Sequence, residues 1–207
     1  VGQGLDVAGG HEAAGHAVGD HLGEATDLAR ELASATARSG ASVALVDLDL
    51  AARPLQAAEG FADRLSAEKL NAHPGGQDNS IAWLLWHAAR EIDAQVADLA
   101  DAEQVWTAQG FDRRFDLGLD PQDHGYGHTP EQARAVVVED ADLLYAYLRA
   151  MVDAEQAYLR TLSPEDLAEV IDRSWDPPVT RAARLVSVSE DALQHIGQAA
   201  YVLGMDF

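Results

Sequence analysis

Three residues of the chain have the types and spacing to hold a divalent metal ion. Asp191 and His195 lie four positions apart, and His87 lies far upstream in a second apolar stretch. On a helix, residues four apart face the same side, so this carboxylate and imidazole would lie one above the other. Both interrupt an apolar stripe, where an unpaired charge is costly. A metal is one partner for them, with His87 as a third ligand; a hydrogen-bonded core histidine beside a solvated or capping aspartate is the alternative.

Four further side chains occur where they could line or cover such a site. Glu91 follows His87 by one helical turn and either orients that ligand or is solvated. Tyr126 and His128 belong to a long polar loop. They either cover the site and donate to a substrate, or serve loop packing and helix capping. Trp83 flanks His87 and is predicted to form core or pocket wall.

The elements that must bring these residues together are predicted to be helices. Alanine, leucine, aspartate and glutamate dominate the chain and β-rich stretches are few, which favours an all-α fold. Helical spacing of apolar residues predicts four long helices, over Asp49–Leu65, from a cap at Asn79 or Ser80 to Asp101, over Pro130–Arg160 and over Thr180–Gly204. We expect an up-and-down four-helix bundle with a long loop, Asp112–His128, between helices two and three. Such bundles often hold metals in the core.

The first 46 residues differ from the rest of the chain. They are rich in glycine and alanine and contain no aromatic residue. Residues 1–46 are therefore predicted to be an N-terminal extension that is either weakly ordered or foreign to the native domain. Residues 47–207 are predicted to form the helical bundle.

Charge and composition exclude several classes of function. The chain has 35 Asp and Glu against 14 Lys and Arg, a net charge of -21 that repels nucleic acids and anionic membranes. It has no cysteine, which excludes disulfides, cysteine-bound zinc and a cysteine nucleophile. No apolar run is long enough for a membrane span, and no signal peptide is recognisable. We therefore expect a cytoplasmic protein whose partner is a small molecule.

Five short motifs occur in an order that resembles a known family. They are Asn79–His87, Val105–Phe111, Gly125–Thr129, Asp176–Thr180 and Asp191–Tyr201. Together they resemble the DinB-like (YfiT-like) superfamily of metal-dependent four-helix bundles. The similarity is greatest to its actinobacterial branch, which is related to mycothiol-dependent enzymes, and it covers residues 47–207.

The resemblance implies a divalent metal held by one histidine of the second helix and two residues of the last helix. These positions carry over to His87 and His195, with Asp191 where the family usually has a histidine. Two histidines and one carboxylate suit zinc, nickel, iron(II) or manganese.

The resemblance also implies an activity. It suggests a thiol-dependent S-transferase or isomerase in which the metal holds a low-molecular-weight thiol as its thiolate for attack on a small electrophile. Since the chain has no cysteine, any thiol must be brought in. A hydrolase using metal-bound water is an alternative. A non-catalytic metal-binding or interaction module is another alternative. Such a module could form a homodimer through a helical face.

Overall fold

The computed structural model describes residues 47–205, which are mostly helical, as the composition predicts. The helices are α1 (47–59), α2 (Ala67–Asn71), α3 (Ile81–Ala100), α4 (Val105–Ala108), α5 (Phe111–Phe115), α6 (Pro130–Ala135), α7 (Ala141–Leu159), α8 (Pro164–Ala168) and α9 (Arg181–Leu203). Two short strands that the sequence analysis did not predict, β1 (Val170–Asp172) and β2 (Val179–Thr180), pair antiparallel just before α9.

The two helices that carry the candidate ligands begin at side-chain caps. Ser80 Oγ accepts a hydrogen bond from the Trp83 amide at 3.1 Å, and Thr180 Oγ1 accepts one from the Ala183 amide at 3.2 Å. Each bond satisfies an amide that the first helical turn leaves unpaired. The predicted ranges of α3 and α9 therefore agree with the structure, since their end residues are the observed caps.

The third predicted helix, Pro130–Arg160, is interrupted, and this prediction was wrong. It divides into α6 and α7, separated by a short extended segment. Val138 in this segment pairs with the Asn71 side chain, which accepts from its amide and donates to its carbonyl, both at 2.9 Å. Asp140 then caps the new helix by accepting from the Leu143 amide. These side-chain bonds replace the backbone bonds of a continuous helix.

Two other predicted bounds also shift. The first helix ends at residue 59 rather than Leu65, because Gly60 and a 3-10 turn over Ala62–Arg64 follow it. The predicted loop Asp112–His128 begins within α5, whose Phe111 and Phe115 are both buried. Burial of two aromatic rings orders this part of the chain, so the irregular loop covers residues 116–129.

Helix α3 is the centre of the hydrophobic core. Every residue from Ile81 to Asp93 is buried, and the helix contacts both α7 and α9. Trp86 of α3 and Tyr147 of α7 are among the largest fully buried side chains. Full burial of one large apolar side chain is worth about 1.5–3 kcal/mol, so this packing holds α3 firmly in the core. His87 and His195 therefore belong to adjacent elements.

A buried arginine ties the irregular loop to α3. Arg90 is fully buried and donates from Nε to the Asp123 carbonyl and from Nη2 to the Pro121 carbonyl, both at 3.0 Å. Its charge is balanced by Asp93, whose Oδ2 lies 3.2 Å from Nη1. Charge-assisted bonds of this kind are strong, and they fix the backbone of loop 116–129 on the helix.

The predictions of an N-terminal extension and of no membrane-spanning segment concern residues that the structure describes only in part. The predicted extension, residues 1–46, lies outside the described residues, so its order stays a prediction. Within residues 47–205, no helix combines the length and apolar character that a bilayer crossing requires.

Candidate metal centre

Three side chains from α3 and α9 converge at one point. His87, Glu91 and His195 each offer one ligand atom, and these atoms lie within 4.8 Å of one another. The two imidazole centroids are 4.7 Å apart. Glu91 lies against both rings, with Oε1 at 3.2 Å from His87 Nε2 and Oε2 at 3.8 Å from His195 Nε2. Two imidazoles and one carboxylate are a ligand set that first-row divalent metals accept.

The backbone of loop 116–129 fixes the proton on His87. Its Nδ1 lies 2.5 Å from the carbonyl oxygen of His124, which can only accept. Nδ1 therefore carries the donated proton, and Nε2 points toward Glu91. A carbonyl behind the ring is the usual way that proteins orient a histidine ligand.

His195 is oriented by a side chain of its own helix. Its Nδ1 lies 3.0 Å from Gln198 Oε1, one turn further along α9. The amide oxygen accepts, so Nδ1 donates and Nε2 faces the centre of the group. Both histidines thus direct Nε2 toward Glu91.

Glu91 shows how well the group fits a cation. It is 8 % exposed, and within the described part of the chain its buried Oε2 has no hydrogen-bond partner. Burial by itself would raise the pKa of Glu91, but the hydrogen bond to His87 and the charges of His87 and His195 lower it below its ordinary value. A buried carboxylate with an unpaired oxygen, facing Nε2 of two imidazoles, is a group that a bound cation would satisfy.

Asp191, predicted to be the third ligand, lies at the edge of this group. Its Oδ1 is 3.8 Å from His195 Nε2, and its side chain is 46 % exposed. Burial and the charge of Glu91 raise its pKa. The sequence analysis expected Asp191 to lie on a buried stripe of α9. The side chain is only half-buried, because the rotation of the helix places this position near solvent. Its role as a ligand stays a prediction.

The sequence analysis left Glu91 open between orienting His87 and being solvated. The alternative that Glu91 is solvated is wrong, since its side chain is buried between the two histidines. The hydrophobic period of α3 did not reveal this, because the helix is buried on every side from Ile81 to Asp93.

Trp83 and His128 form one wall of the site. The Trp83 ring lies 4.4 Å from the His87 ring, and its Nε1 donates to His128 Nδ1 at 3.1 Å. The other nitrogen of His128, Nε2, then carries the proton and donates to Asp123 at 2.9 Å. Both ring nitrogens are occupied, so this geometry favours the loop-packing alternative for His128.

Tyr126 belongs to the same loop but is exposed to solvent. Its side chain is 84 % exposed, and its ring centroid is 6.3 Å from that of His124. The covering role considered for Tyr126 stays a prediction. The sequence analysis gave no role to His124 or Gln198. The bond from the His124 carbonyl could not be found from residue types, whereas Gln198, three residues after His195, was visible as a helical neighbour.

Comparisons with known proteins identify a family and a similar solved structure. Residues 48–203 match the model of a family described as mycothiol-S-transferase. The chain is also similar to a crystal structure described as the conserved protein of a locus from Enterococcus faecalis, with 36% identity and a TM-score of 0.71. That match covers 77% of this chain and 94% of the other. No protein of curated function matches.

Proposed function

The chain belongs to the mycothiol-S-transferase family, and from this premise we propose that it is a metal-dependent S-transferase joining a small-molecule thiol to a small electrophile. One observation carries the proposal: His87, Glu91 and His195 bring three ligand atoms within 4.8 Å of one another. The reacting sulfur must come from the thiol substrate, because the chain contains no cysteine.

The three residues would hold zinc, nickel, iron(II) or manganese, any of which would lower the pKa of a bound thiol so that the thiolate is available near neutral pH. His87 and His195 provide Nε2 because their Nδ1 protons are donated elsewhere. Glu91 supplies a negative charge that favours the cation. Trp83 covers one face of His87 and limits the access of water from that side.

Finer features of the sequence prediction belong to the same proposal. The up-and-down bundle is supported by the contacts of α3 with α7 and α9. Asp191 is proposed as an additional ligand at the solvent edge, where it lies within 3.8 Å of His195. An isomerase reaction, a cytoplasmic location, a small-molecule partner and a homodimer remain proposals that rest on the sequence analysis.

Metal content and thiol transfer test this function directly. We expect the purified, metal-supplemented protein to hold about one divalent ion per chain, since a preformed site of this kind fills. It should join mycothiol to an alkylating electrophile such as monobromobimane. His195→Ala should lower the metal content to below about a tenth of an equivalent and the transfer rate by at least about 100-fold. Elemental analysis and product fluorescence measure the two quantities.

His73→Ala is the matched control, because His73 bonds to the Gln77 carbonyl outside the metal group. It should keep both metal and activity. A protein that fills with metal but transfers no thiol would contradict the S-transferase proposal and favour either metal-assisted hydrolysis or a non-catalytic site. A protein that takes up no metal would refute all three.

A further inference from the structure

A polar cavity of about 580 Å³ is lined by residues of α3, of the segment that follows it, of loop 116–129 and of α9. Its volume falls within the range of about 300–1,000 Å³ that is usual for small-molecule sites. His87, Glu91 and His195 are not among its lining residues. The cavity is therefore a feature separate from the candidate metal centre, and the metal chemistry assigns it no ligand.

The cavity continues the face of α3 that carries the metal centre. Gln95 and Asp98 line it and follow Glu91 by four and seven residues, so they lie on the same side of the helix. His124 also lines the cavity, and its carbonyl oxygen accepts the Nδ1 proton of His87. A molecule bound beside Gln95 would reach the metal centre by extending about 6 Å, the rise of four helical residues.

The C-terminal end of α3, which contributes to the lining, is an acidic environment. Asp98 in the last turn and Glu103 after the helix are exposed lining residues, and Asp101 caps the helix between them. The last turn of α3 contains no basic residue. The carbonyl groups at a helix C-terminus carry a partial negative charge, so acidic side chains are unfavourable there and cations are favourable. A positively charged ligand would relieve this repulsion.

The basic residue of the lining offsets little of this charge. Arg184 is paired with Asp172 of β1, whose Oδ2 lies 3.4 Å from its Nη2. Since that pair is close to neutral, Asp98 and Glu103 give the lining a negative charge. The chain as a whole adds to the effect with its net charge of -21. Such a site attracts cations and repels carboxylates and phosphates.

The neutral groups of the lining are rich in hydrogen-bond acceptors. Thr107 donates its hydroxyl proton to the Gln104 carbonyl at 3.1 Å, which leaves the lone pairs of its oxygen free to accept. The Gln95 side chain adds an amide oxygen. An ammonium group has three donors and no acceptor, so it matches a lining of carboxylate, amide and hydroxyl oxygens.

We propose that this cavity holds the acceptor of the transfer reaction and selects an electrophile that bears an ammonium group about 6 Å from its reacting carbon. The inference rests on the proposed S-transferase function for the reaction, and it adds the charge class of the second substrate and the site that recognises it. Binding of the ammonium group beside Asp98 and Glu103 would place the reacting carbon at the metal centre.

Three chloroacetamides that differ in one terminal group test this selectivity. N-(2-aminoethyl)-2-chloroacetamide is a cation whose nitrogen lies five bonds, roughly 6 Å, from the reacting carbon. N-(2-hydroxyethyl)-2-chloroacetamide is neutral, and N-chloroacetyl-β-alanine is an anion. In each reaction a carbon–sulfur bond forms and the carbon–chlorine bond breaks. Chloride leaves with the bonding electron pair, and the thiol proton is released to solvent.

We expect the cation to react fastest with metal-loaded protein and saturating mycothiol. Its kcat/KM, divided by its own uncatalysed rate constant, should exceed that of the neutral acceptor by at least about fivefold, and the anion should be slower than both. Glu103→Lys should reduce the advantage of the cation by at least about threefold and leave the neutral acceptor within about 1.5-fold. Asp98→Lys should act in the same way, and it places a favourable charge at the helix end.

Glu139→Lys is the matched control, since it makes the same charge change at an exposed residue outside the cavity lining. It should leave the ratio between the cation and the neutral acceptor within about 1.5-fold of the unchanged protein, because separated surface charges are screened by salt. The proposal is overturned if the three acceptors react alike, if the anion is preferred, or if Glu103→Lys and Glu139→Lys change the ratio equally.

Binding without chemistry separates the cavity from the proposed function. N-(2-aminoethyl)acetamide and N-(2-hydroxyethyl)acetamide lack the leaving group, and their titration by NMR needs neither thiol nor turnover. The ammonium compound should bind at least about threefold more tightly, and Glu103→Lys should remove the difference. Failure of the ammonium compound to bind would overturn the cavity assignment even if the protein transfers thiol to neutral acceptors. Selective binding without any transfer would support the cavity and count against the S-transferase function alone.

Discussion

His87 obtains its ligand orientation from a backbone carbonyl, whereas His195 obtains it from a side chain of its own helix. The His124 carbonyl holds Nδ1 of His87, and Gln198 Oε1 holds Nδ1 of His195. A carbonyl cannot donate, so the tautomer of His87 is determined by the fold. The orientation of His195 depends on one residue that a substitution can remove. The two ligands therefore differ in how robustly their geometry is maintained.

Replacement of the two acidic residues separates their roles in metal binding. We expect Glu91→Gln to lower metal affinity by at least about tenfold, because it removes a buried charge between two imidazoles. Asp191→Asn should lower it less, about threefold, since this carboxylate is nearly half exposed and 3.8 Å from His195. Competition with a chromogenic chelator measures both affinities. A larger loss for Asp191→Asn would instead identify Asp191 as the principal carboxylate ligand.

A second buried acid, Glu155, is expected to make the free energy of unfolding depend on pH. Burial raises its pKa to about 7, although the Ser189 hydroxyl, which donates to Oε1 at 2.9 Å, partly offsets this. Because the folded pKa exceeds the unfolded one, the native state binds more protons between about pH 4.5 and 7. The free energy of unfolding should therefore fall as pH rises through this range, by on the order of 3 kcal/mol from this group.

Glu155→Gln should flatten that part of the pH profile and stabilise the protein at pH 8 relative to the unchanged chain. Urea unfolding at several pH values measures this. Glu139→Gln, at an exposed position, should leave the slope unaltered. If Glu155→Gln leaves the dependence of the unfolding free energy on pH unchanged, Glu155 ionises in the native state at little cost in free energy.

Sequence analysis identified both histidines of the metal group but not the function of Glu91. The i and i+4 spacing of Asp191 and His195 was visible, and so was the spacing of His87 and Glu91. Spacing alone cannot tell which of two carboxylates faces the partner helix. That depends on the rotation of α3 against α9, which long-range packing determines.

Loop 116–129 is the element on which the metal centre depends. Arg90 fixes its backbone, and the backbone in turn holds His87. Gly125 has a φ of +93°, and a Cβ built there would lie 2.8 Å from His87 Nδ1 and 3.0 Å from Trp86 Cζ3. A side chain at this position would displace the His87 ring of the candidate metal centre.

Gly125→Ala should therefore lower metal affinity by at least about tenfold, as loss of a group that orients a ligand does. It should also destabilise the protein by more than the roughly 1–2 kcal/mol of left-handed strain. Gly127→Ala is the control, because Gly127 also has a positive φ, of 74°, but a Cβ there meets nothing within 4 Å. We expect it to lose stability and keep its metal affinity. Chelator competition and thermal melting distinguish the two, and equal affinities would contradict the role assigned to the loop.

Sequence analysis predicted the bounds of the helices that have clear capping residues. It did not predict a helix break that depends on a side chain from another part of the chain. Thr180 marked the start of α9 correctly, and of the two caps predicted for α3, Asn79 or Ser80, the structure has Ser80. The break after α6 depends on Asn71, which is distant in sequence and holds Val138 in an extended conformation. No local pattern contains that contact, although three consecutive valines from Val136 were a sign of extended backbone.

At the scale of the whole molecule, metal binding should be linked to global stability. The candidate ligands come from α3 and α9, so unfolding separates them and metal binds the native state preferentially. At a free metal concentration 100 times Kd, the gain is about 2.7 kcal/mol. Scanning calorimetry should show Tm rising with metal in the unchanged chain and staying constant in His195→Ala. A rise of equal size in that variant would place the stabilising metal elsewhere.

Helix α3 also constrains how the sequence of this protein can change during evolution. From Ile81 to Asp93 it has no solvent-facing side, and the same stretch supplies His87, Glu91 and the arginine that anchors the loop. Neutral substitutions normally accumulate at the solvent-exposed positions of a helix, and this stretch has no such positions. Among descendants of a common ancestor, this segment should thus change most slowly, and new specificities should arise through the surface elements around it.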